Sequence, residues 1–521
     1  MAAVGRRRLL LGTAGAAATL GVFRRPDIAS ATTTGPAGHS TTTDYATRGA
    51  FDALDRGYRG GHGNKDDLND EQGAVGWGES YVLQAYLLMY QTYRDRYYLD
   101  KAIDHIDHVL ANRDSERGFT DWRGLSVPGW RTGDPYSAGE VHLTDAQGRP
   151  TLRLRTARAY SARTQVAVVA GSTPGTFQVR LHHPVYKVSE THDSLTMDPA
   201  SPDFAVTRIN AAFDANAVQT TAKDLRENPD AASDPAPVEL AMTAPKFHSC
   251  VHTGQIAYPI AKFARLVRTR PELRKDRRLR TKADEYYEAA AAAAGVHEHE
   301  YVQEGRYGYY RSLKDTPVNL DGADWPHNYS TSMARVYLEL YLAGRRRAHR
   351  DRAESLVRTF ADDVQPKENG TATWTYYWTG GVAYTGWTPA DGVSNNFPLR
   401  GAGTRLEDIS HAHIEITMMV TAHEAGLAGR RDLELLARTF TRDILTTTEE
   451  GEPTVHSYLG PSGVTGNAAF ELISAGWLGL APFDRDRTMT RAIGRMYGNL
   501  APDPDVVPIY GSAWLNWATR R

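Results

Sequence analysis

A helical hairpin recurs along this chain. Each copy has an aromatic and aliphatic first helix, a short basic turn and a second, amphipathic helix. The copies span residues 78–93 with 97–110, 252–267 with 279–293, 329–342 with 350–364, 411–427 with 432–445, and 468–478 with 487–500. The turns share one chemistry: Arg94-Asp95-Arg96, Lys275-Asp276-Arg277-Arg278, Arg345-Arg346-Arg347, Arg430-Arg431 and Asp484-Arg485-Asp486-Arg487. From the second copy onward, the second helices are 71, 82 and 55 residues apart. Hairpins repeated at an irregular period bury their apolar faces only against neighbouring copies. A helix over 46–58 and a tail helix over 513–519 supply a sixth pair. The expected fold is mainly α, a complete or incomplete (α/α)6 toroid.

One step does not fit. The first and second copies are 182 residues apart, and the excess lies within 131–243. There, 151–155, 165–169, 176–181 and 185–188 alternate or are β-branched between Gly, Pro and Ser turns, which predicts a small β-rich insertion. A short helix follows near 205–214, and the polar stretch 228–237 reads as a flexible return loop. Such an insertion leaves a toroid intact when its ends lie close together. The predicted organisation is an export signal over 1–31, a linker over 32–43, the first part of the toroid over 44–130, the insertion over 131–243 and the rest of the toroid over 244–521.

The opening supports the first boundary. Arg6-Arg7-Arg8 precede a short apolar run, and Ala29-Ser30-Ala31 forms a cleavage pattern. The paired arginines resemble a twin-arginine signal, which implies export to the cell envelope or beyond and removal near Ala31. The apolar run is too short to span a bilayer, and the mature chain offers no other span. With 60 basic against 62 acidic residues, the chain lacks the positive field of a nucleic-acid binder. Its one cysteine, Cys250, excludes an internal disulfide and a cysteine-cluster zinc site. The 10 Trp and 27 Tyr fit either a large core or a sugar-binding cleft. Oligomeric state is not legible.

The chemically unusual residues collect where first helices begin: Trp77-Gly78-Glu79, His248-Ser249-Cys250-Val251-His252, Asp324-Trp325-Pro326-His327-Asn328-Tyr329, Arg405 through His413, and Gly466-Asn467. In a toroid the first helices line the centre and start at the same end, so these clusters are expected around one cleft, with helix N-termini suited to an anion. Asp408 and Ser410 also read as helix caps. His327-Asn328-Tyr329 offers a proton acceptor, a carboxylate-binding amide and a phenol, the parts needed to remove the C5 proton of a uronic acid. His248 and His252, four apart, could hold a divalent metal with His411, but polar-cavity histidines without metal are the preferred reading, and no cofactor is expected. The acid pairs Asp321/Asp324 and Glu407/Asp408 suit a glycosidase. The aromatic runs Trp374–Trp378 and Tyr384–Trp387, leading to Asn396, suit stacking on sugar rings or a packed hairpin.

On these residues the chain resembles the α/α-toroid carbohydrate-active enzymes. His327-Asn328-Tyr329 is similar in kind to the Asn/His/Tyr sets of toroidal polysaccharide lyases. Trp77-Gly78-Glu79 and Leu406–His411 resemble the helical domain of D-glucuronyl C5-epimerases. The chain departs from both in lacking a longer shared motif and in the position of its β-rich part. The resemblance implies an acidic polysaccharide or oligosaccharide substrate and C5-proton abstraction, ending in β-elimination or epimerisation. His327, His411 or His413 would take the proton. Asn328, Asn396 or Arg405 would hold the carboxylate, and Tyr329 or Tyr384 would assist the leaving oxygen. Trp77, Glu79, His252, Asp324, Trp325, Tyr384, Trp387, Asn396, Glu407 and Asn467 are the expected substrate contacts. The alternatives are a glycoside hydrolase that pairs Asp324 with Glu407 or Asp408, and a non-catalytic glycan-binding protein.

Overall fold

The computed structural model describes residues 43–65, 70–229, 233–460 and 463–521. The predicted export signal, nearly all of the linker and residues 230–232 of the predicted return loop lie outside the described residues.

Twelve helices among the described residues build the main body. They are α1 (Arg48–Gly57), α2 (Ser80–Tyr93), α3 (Arg96–Ala111), α4 (Cys250–Thr269), α5 (Arg277–Gly295), α6 (His327–Gly344), α7 (Arg347–Asp363), α8 (Ile409–Glu424), α9 (Arg430–Thr439), α10 (Ala468–Ile473), α11 (Thr488–Leu500) and α12 (Val506–Ala518). The even-numbered helices form the inner ring: α2 packs on α4, α4 on α6, α6 on α8, α8 on α10 and its continuation, that continuation on α12, and α12 back on α2. Each odd-numbered helix lies outside its partner, and α1 covers α12, so the first and last helices form the sixth pair. The fold is an α/α toroid.

The ring follows from local sequence. α2 is Tyr- and Leu-rich and buried on nearly every side, as a helix enclosed by others must be. The outer α3 buries one face, with Tyr98, Leu99, Ala102, Ile103, Ile106, Val109 and Leu110 around a single buried polar residue, His105. Each Leu, Ile or Val among them contributes about 1.5–3 kcal/mol on burial. The inter-helix turns carry caps: Asp95 accepts from the Tyr97 amide and Asp276 from the Leu279 amide. Asn516 closes the ring by donating to the Tyr45 and Thr47 carbonyls at 3.2 and 3.1 Å.

Two helices differ from the sequence expectation. α12 begins at Val506 rather than near residue 513. Pro508 reads as a breaker but lies in the first turn, where its missing N–H has no helical acceptor to lose. α10 is short and continues as a tighter 3₁₀ stretch, Ser474–Phe483, which contains Gly476, Gly479 and Pro482.

The insertion forms two antiparallel sheets. Its strands are β1 (Gly139–Thr144), β2 (Pro150–Thr156), β3 (Gln165–Ala170), β4 (Phe177–His183), β5 (Val188–Leu195), β6 (Thr220–Asp224) and β7 (Val238–Ala241). The orders are β1-β2-β6 and β5-β4-β3-β7. Leu152, Leu154, Val166, Val168, Val179, Leu181 and Leu195 fill a core separate from that of the toroid. The strand expected at 185–188 is instead a turn, with Lys187 at φ 54°, and the strand starts at Val188. The insertion's ends are held together by a short ladder pairing Arg131 with His248 and Thr132 with Phe247. It also docks on the toroid's loops: Arg155 donates to Asn396 Oδ1 at 2.8 Å, and Phe213 meets Phe397 with ring centres 5.0 Å apart.

Candidate active site at the mouth of the toroid

Inner-helix starts and the loops before them form an aromatic and polar cluster at one end of the ring. At its centre is His411, in the first turn of α8. Asp408 is the N-cap of that helix: Oδ1 accepts from the Ser410 and His411 amides, while Oδ2 lies 2.7 Å from His411 Nδ1. Burial by itself would raise the Asp408 pKa, but His411, Ser410 and Arg405 outweigh it and hold the carboxyl well below its usual range. Burial opposes charge on His411, yet Asp408 and Glu407 raise its pKa overall. The other ring nitrogen, Nε2, makes no hydrogen bond among the described residues, and the side chain keeps 11% exposure.

Aromatic rings surround this imidazole. Trp77 and Tyr376 have ring centres 6.4 and 5.5 Å from it. The Arg405 guanidinium lies 3.9 Å over the Tyr376 ring, with Nη1 buried and unpartnered among the described residues. Tyr329 stacks on Trp325 at 4.6 Å and 12°. Burial raises the Tyr329 phenol pKa, and Tyr377 and Cys250 act in the same direction.

Across Trp77 stands a second Asp–His pair. Asp70 Oδ2 lies 2.6 Å from His252 Nδ1, and Trp77 Nε1 donates to His252 Nε2 at 2.9 Å. Tyr136, from the base of the insertion, meets the His252 ring at 4.6 Å.

Beneath His411 lies a buried carboxyl pair, Glu407 and Glu415. Glu407 Oε1 accepts from the Asp408 amide at 2.9 Å, and Glu415 Oε2 accepts from Trp374 Nε1 at 2.6 Å. Burial, then the neighbouring Glu415 and Asp408 charges, raise the Glu407 pKa well above the ordinary value.

Other expected site residues are engaged elsewhere. His327 turns outward to Asp363 (Nε2–Oδ2 2.8 Å) and packs on Phe360 of the outer helix α7. His413 lies deeper in the ring, among Tyr81, Tyr510 and Arg335; burial and Arg335 push its pKa down to about 3. Glu79 is fully buried between layers, bonded to His105 and the Asn64 amide. Asn396 donates to the Thr316 and Val318 carbonyls and accepts from Arg155, which leaves no amide hydrogen for a ligand. Trp387 is buried and donates to the Phe397 carbonyl at 2.7 Å. Asp324 is buried and accepts from the Ala383 amide, and Asn467 caps α10. Tyr384 is half-buried in the loop before α8. Asn328 is buried, and neither amide atom is hydrogen-bonded among the described residues.

The alternative metal set is not assembled. His248 faces Asp114 at 2.9 Å and Asp121 at 3.5 Å, and both nitrogens of His252 are engaged. Glu407, Asp408 and His411 do offer three ligand atoms within 4.8 Å of one another, although Asp408 and His411 already bond to each other.

Asp70, Tyr136 and Tyr376 belong to the mouth but were not among the expected contacts. Tyr376 sits in the aromatic run that suggested stacking. Nothing local marks Asp70 or Tyr136, whose positions depend on the loop before α2 and on the insertion.

No family model and no curated protein matches the chain. Among solved structures it is similar to an α-1,6-mannanase of glycoside hydrolase family 76 from Salegentibacter sp. HEL1_6, an inactive double variant in complex with α-1,6-mannotetrose. That likeness has 12% identity and a TM-score of 0.33, over 52% of this chain and 75% of that one. A family 76 mannosidase of Bacteroides thetaiotaomicron matches with 13% identity and a TM-score of 0.31, over 51% and 68%. A family 76 glycoside hydrolase from a bovine strain of that species matches with 10% identity and a TM-score of 0.29, over 71% and 96%.

Proposed function

We propose that the chain is an exported enzyme that hydrolyses a glycosidic bond in a polysaccharide or oligosaccharide, by acid–base chemistry at the Glu407–Asp408–His411 corner. One observation carries this reading. The buried Glu407 and Asp408 carboxyls stand in unlike settings beside an imidazole that keeps 11% exposure: Glu407 lies against Glu415, while Asp408 is bonded to His411 and to the Ser410 and His411 amides, so burial and like charge raise the pKa of Glu407 and these partners lower that of Asp408. Groups whose environments separate their proton affinities are the means by which an acid and a base coexist at one pH. His411 is the member that would touch substrate, with Asp408 fixing its proton on Nδ1 and Glu407 lying beneath. The aromatic rings around it suit a sugar chain.

A second reading, C5-proton abstraction from a uronate, is favoured by Arg405. Its guanidinium is held by Tyr376 and has a buried N–H without a partner among the described residues, a setting suited to a carboxylate. Here His411 takes the proton and Tyr329 serves the leaving oxygen.

The test is incubation of the purified mature chain with α-1,6-mannan, the polymer type acted on by the similar mannanase, and with uronate polymers. Reducing ends without ultraviolet absorbance indicate hydrolysis. Absorbance from an unsaturated sugar indicates elimination, and deuterium uptake at C5 without cleavage indicates epimerisation. The hydrolase reading fails if reducing ends do not appear, or if they persist undiminished in His411→Gln. Binding with no turnover of any kind leaves a glycan-binding protein.

A further inference from the structure

The contacts around Trp77 draw on four separated parts of the chain. The indole N–H donates to His252 Nε2 at 2.9 Å. An indole N–H can only donate, so that imidazole nitrogen must be the acceptor. The ring proton of His252 is therefore on Nδ1, where it is donated to Asp70 Oδ2 at 2.6 Å. Asp70 is in turn fixed, because Oδ1 accepts from the Val75 and Gly76 amides at 3.2 and 2.9 Å. The chain Asp70–His252–Trp77 is thus aligned from end to end and defines the plane of the indole.

Tyr136 braces the same assembly from the insertion, nearly perpendicular to the His252 ring at 4.6 Å and 84°. Two glycines make room for it. Gly73 has φ +78°, and a Cβ there would lie 2.6 Å from the Tyr136 hydroxyl and 2.9 Å from Trp77 Cδ1. A Cβ on Gly76 would lie 3.2 Å from His252 Cγ. Trp77 itself remains partly exposed beside His411, whereas Asp70 and His252 are both about 1% exposed. A partly exposed indole beside the proposed reacting group, oriented by two buried residues and braced by a third, is preorganised to receive a flat apolar surface.

We propose that Asp70, His252 and Tyr136 are positioning residues that hold Trp77 as a stacking platform for the pyranose ring bound next to His411. The inference rests on the glycan reading above and gives the β-rich insertion a role, since Tyr136 is its contribution to the mouth. The ligand class is a hexopyranose that presents its C–H face to the indole.

The test is tryptophan fluorescence of the purified mature chain, titrated separately with α-1,6-mannotetraose and with a uronate tetrasaccharide. Saturable quenching is expected with at least one of them, and Trp77→Phe should remove most of that signal. His252→Phe, which deletes both hydrogen bonds, should weaken binding about three- to ten-fold. His252→Gln should restore it, because its amide oxygen can accept from Trp77 while its NH2 donates to Asp70. Tyr136→Ala should weaken binding in the same direction. Thermal melts of the variants report folding separately, so a simple structural role predicts loss that follows melting temperature and no selective rescue by glutamine. Equal binding by wild type and His252→Phe, or a glutamine variant no better than phenylalanine, overturns the proposal, as does absence of binding to either saccharide. Binding that obeys the pattern without turnover would instead refute the hydrolase reading and leave the platform standing. Turnover with unaltered affinity in the variants would do the reverse.

Discussion

Asp408 caps the helix that carries His411 and, with its other oxygen 2.7 Å away, fixes the proton on His411 Nδ1. One side chain thereby sets both where the imidazole stands and which of its nitrogens faces the mouth. The arrangement is compact because residues three apart lie on one helical face.

Asp408→Asn retains an oxygen that can cap the helix but presents no charge to the imidazole. Activity on the cognate glycan should fall about 10²- to 10⁴-fold, and His411→Gln should lose as much. Initial rates measured on variants with wild-type circular dichroism decide the matter. A loss of less than about two-fold in either would remove the dyad from the reaction.

The same pair makes stability depend on pH. The folded Asp408 pKa is depressed, so its contribution is complete above the ordinary carboxylate value of 3.8 and fades as pH falls below it. The folded His411 pKa is raised, so its contribution is complete below the ordinary imidazole value of 6.5 and fades as pH rises through the folded value. The gap in melting temperature between wild type and Asp408→Asn should therefore be widest at about pH 5, within that window, and narrow on both sides. A gap that grows steadily to pH 9 would contradict the assignment.

Arg335 is a fully buried guanidinium near the axis of the ring. It donates to Gln255 and lies 4.4 Å over the Tyr258 ring, but Nε and Nη1 have no partner among the described residues. Glu339, one turn along α6, is paired with Arg265 instead, at 2.7 Å. A buried charge with incomplete compensation is a net cost, and an apolar side chain of similar length removes it. Arg335→Met should melt at or above the wild-type temperature. A loss of about 3 kcal/mol in chemical denaturation would show that the guanidinium is compensated after all.

His327 and Asn396 should separate stability from activity. His327→Phe strands Asp363 without its imidazole partner, and Asn396→Leu leaves the Val318 carbonyl without its donor and takes one hydrogen bond each from the Thr316 carbonyl and Arg155. Each should cost about 1–3 kcal/mol in denaturant unfolding while leaving kcat near wild type below the melting range. A large fall in kcat with unchanged stability would return either residue to the active site.

The toroid was readable in outline because its signals are local. Apolar residues at helical spacing and basic turns define hairpins wherever they occur, and six of them have one compact way to bury every inner face. The insertion was readable as β-rich from 151–155 and 165–169. Its strands Gly139–Thr144 and Val238–Ala241 were not: the first pairs with its neighbour Pro150–Thr156 but carries Gly139, Glu140 and His142, and the second depends on pairing with 165–168, some seventy residues away.

The mouth was readable only as a neighbourhood. Polar and aromatic residues stand at the starts of the inner helices in the residue order alone, and helical geometry brings those starts to one end. That order could not choose among His327, His411 and His413, since each lies in the first turns of an inner helix. Tertiary structure separates the three: His327 turns to the outer helix and Asp363, His413 lies among Tyr81, Tyr510 and Arg335, and His411 meets Asp408 and Trp77. Successive residues of a helix point about 100° apart, so identical local patterns place side chains toward the lumen, the outer layer or the mouth according to how the helix is rotated in the ring. That rotation is set by packing against neighbours distant in sequence.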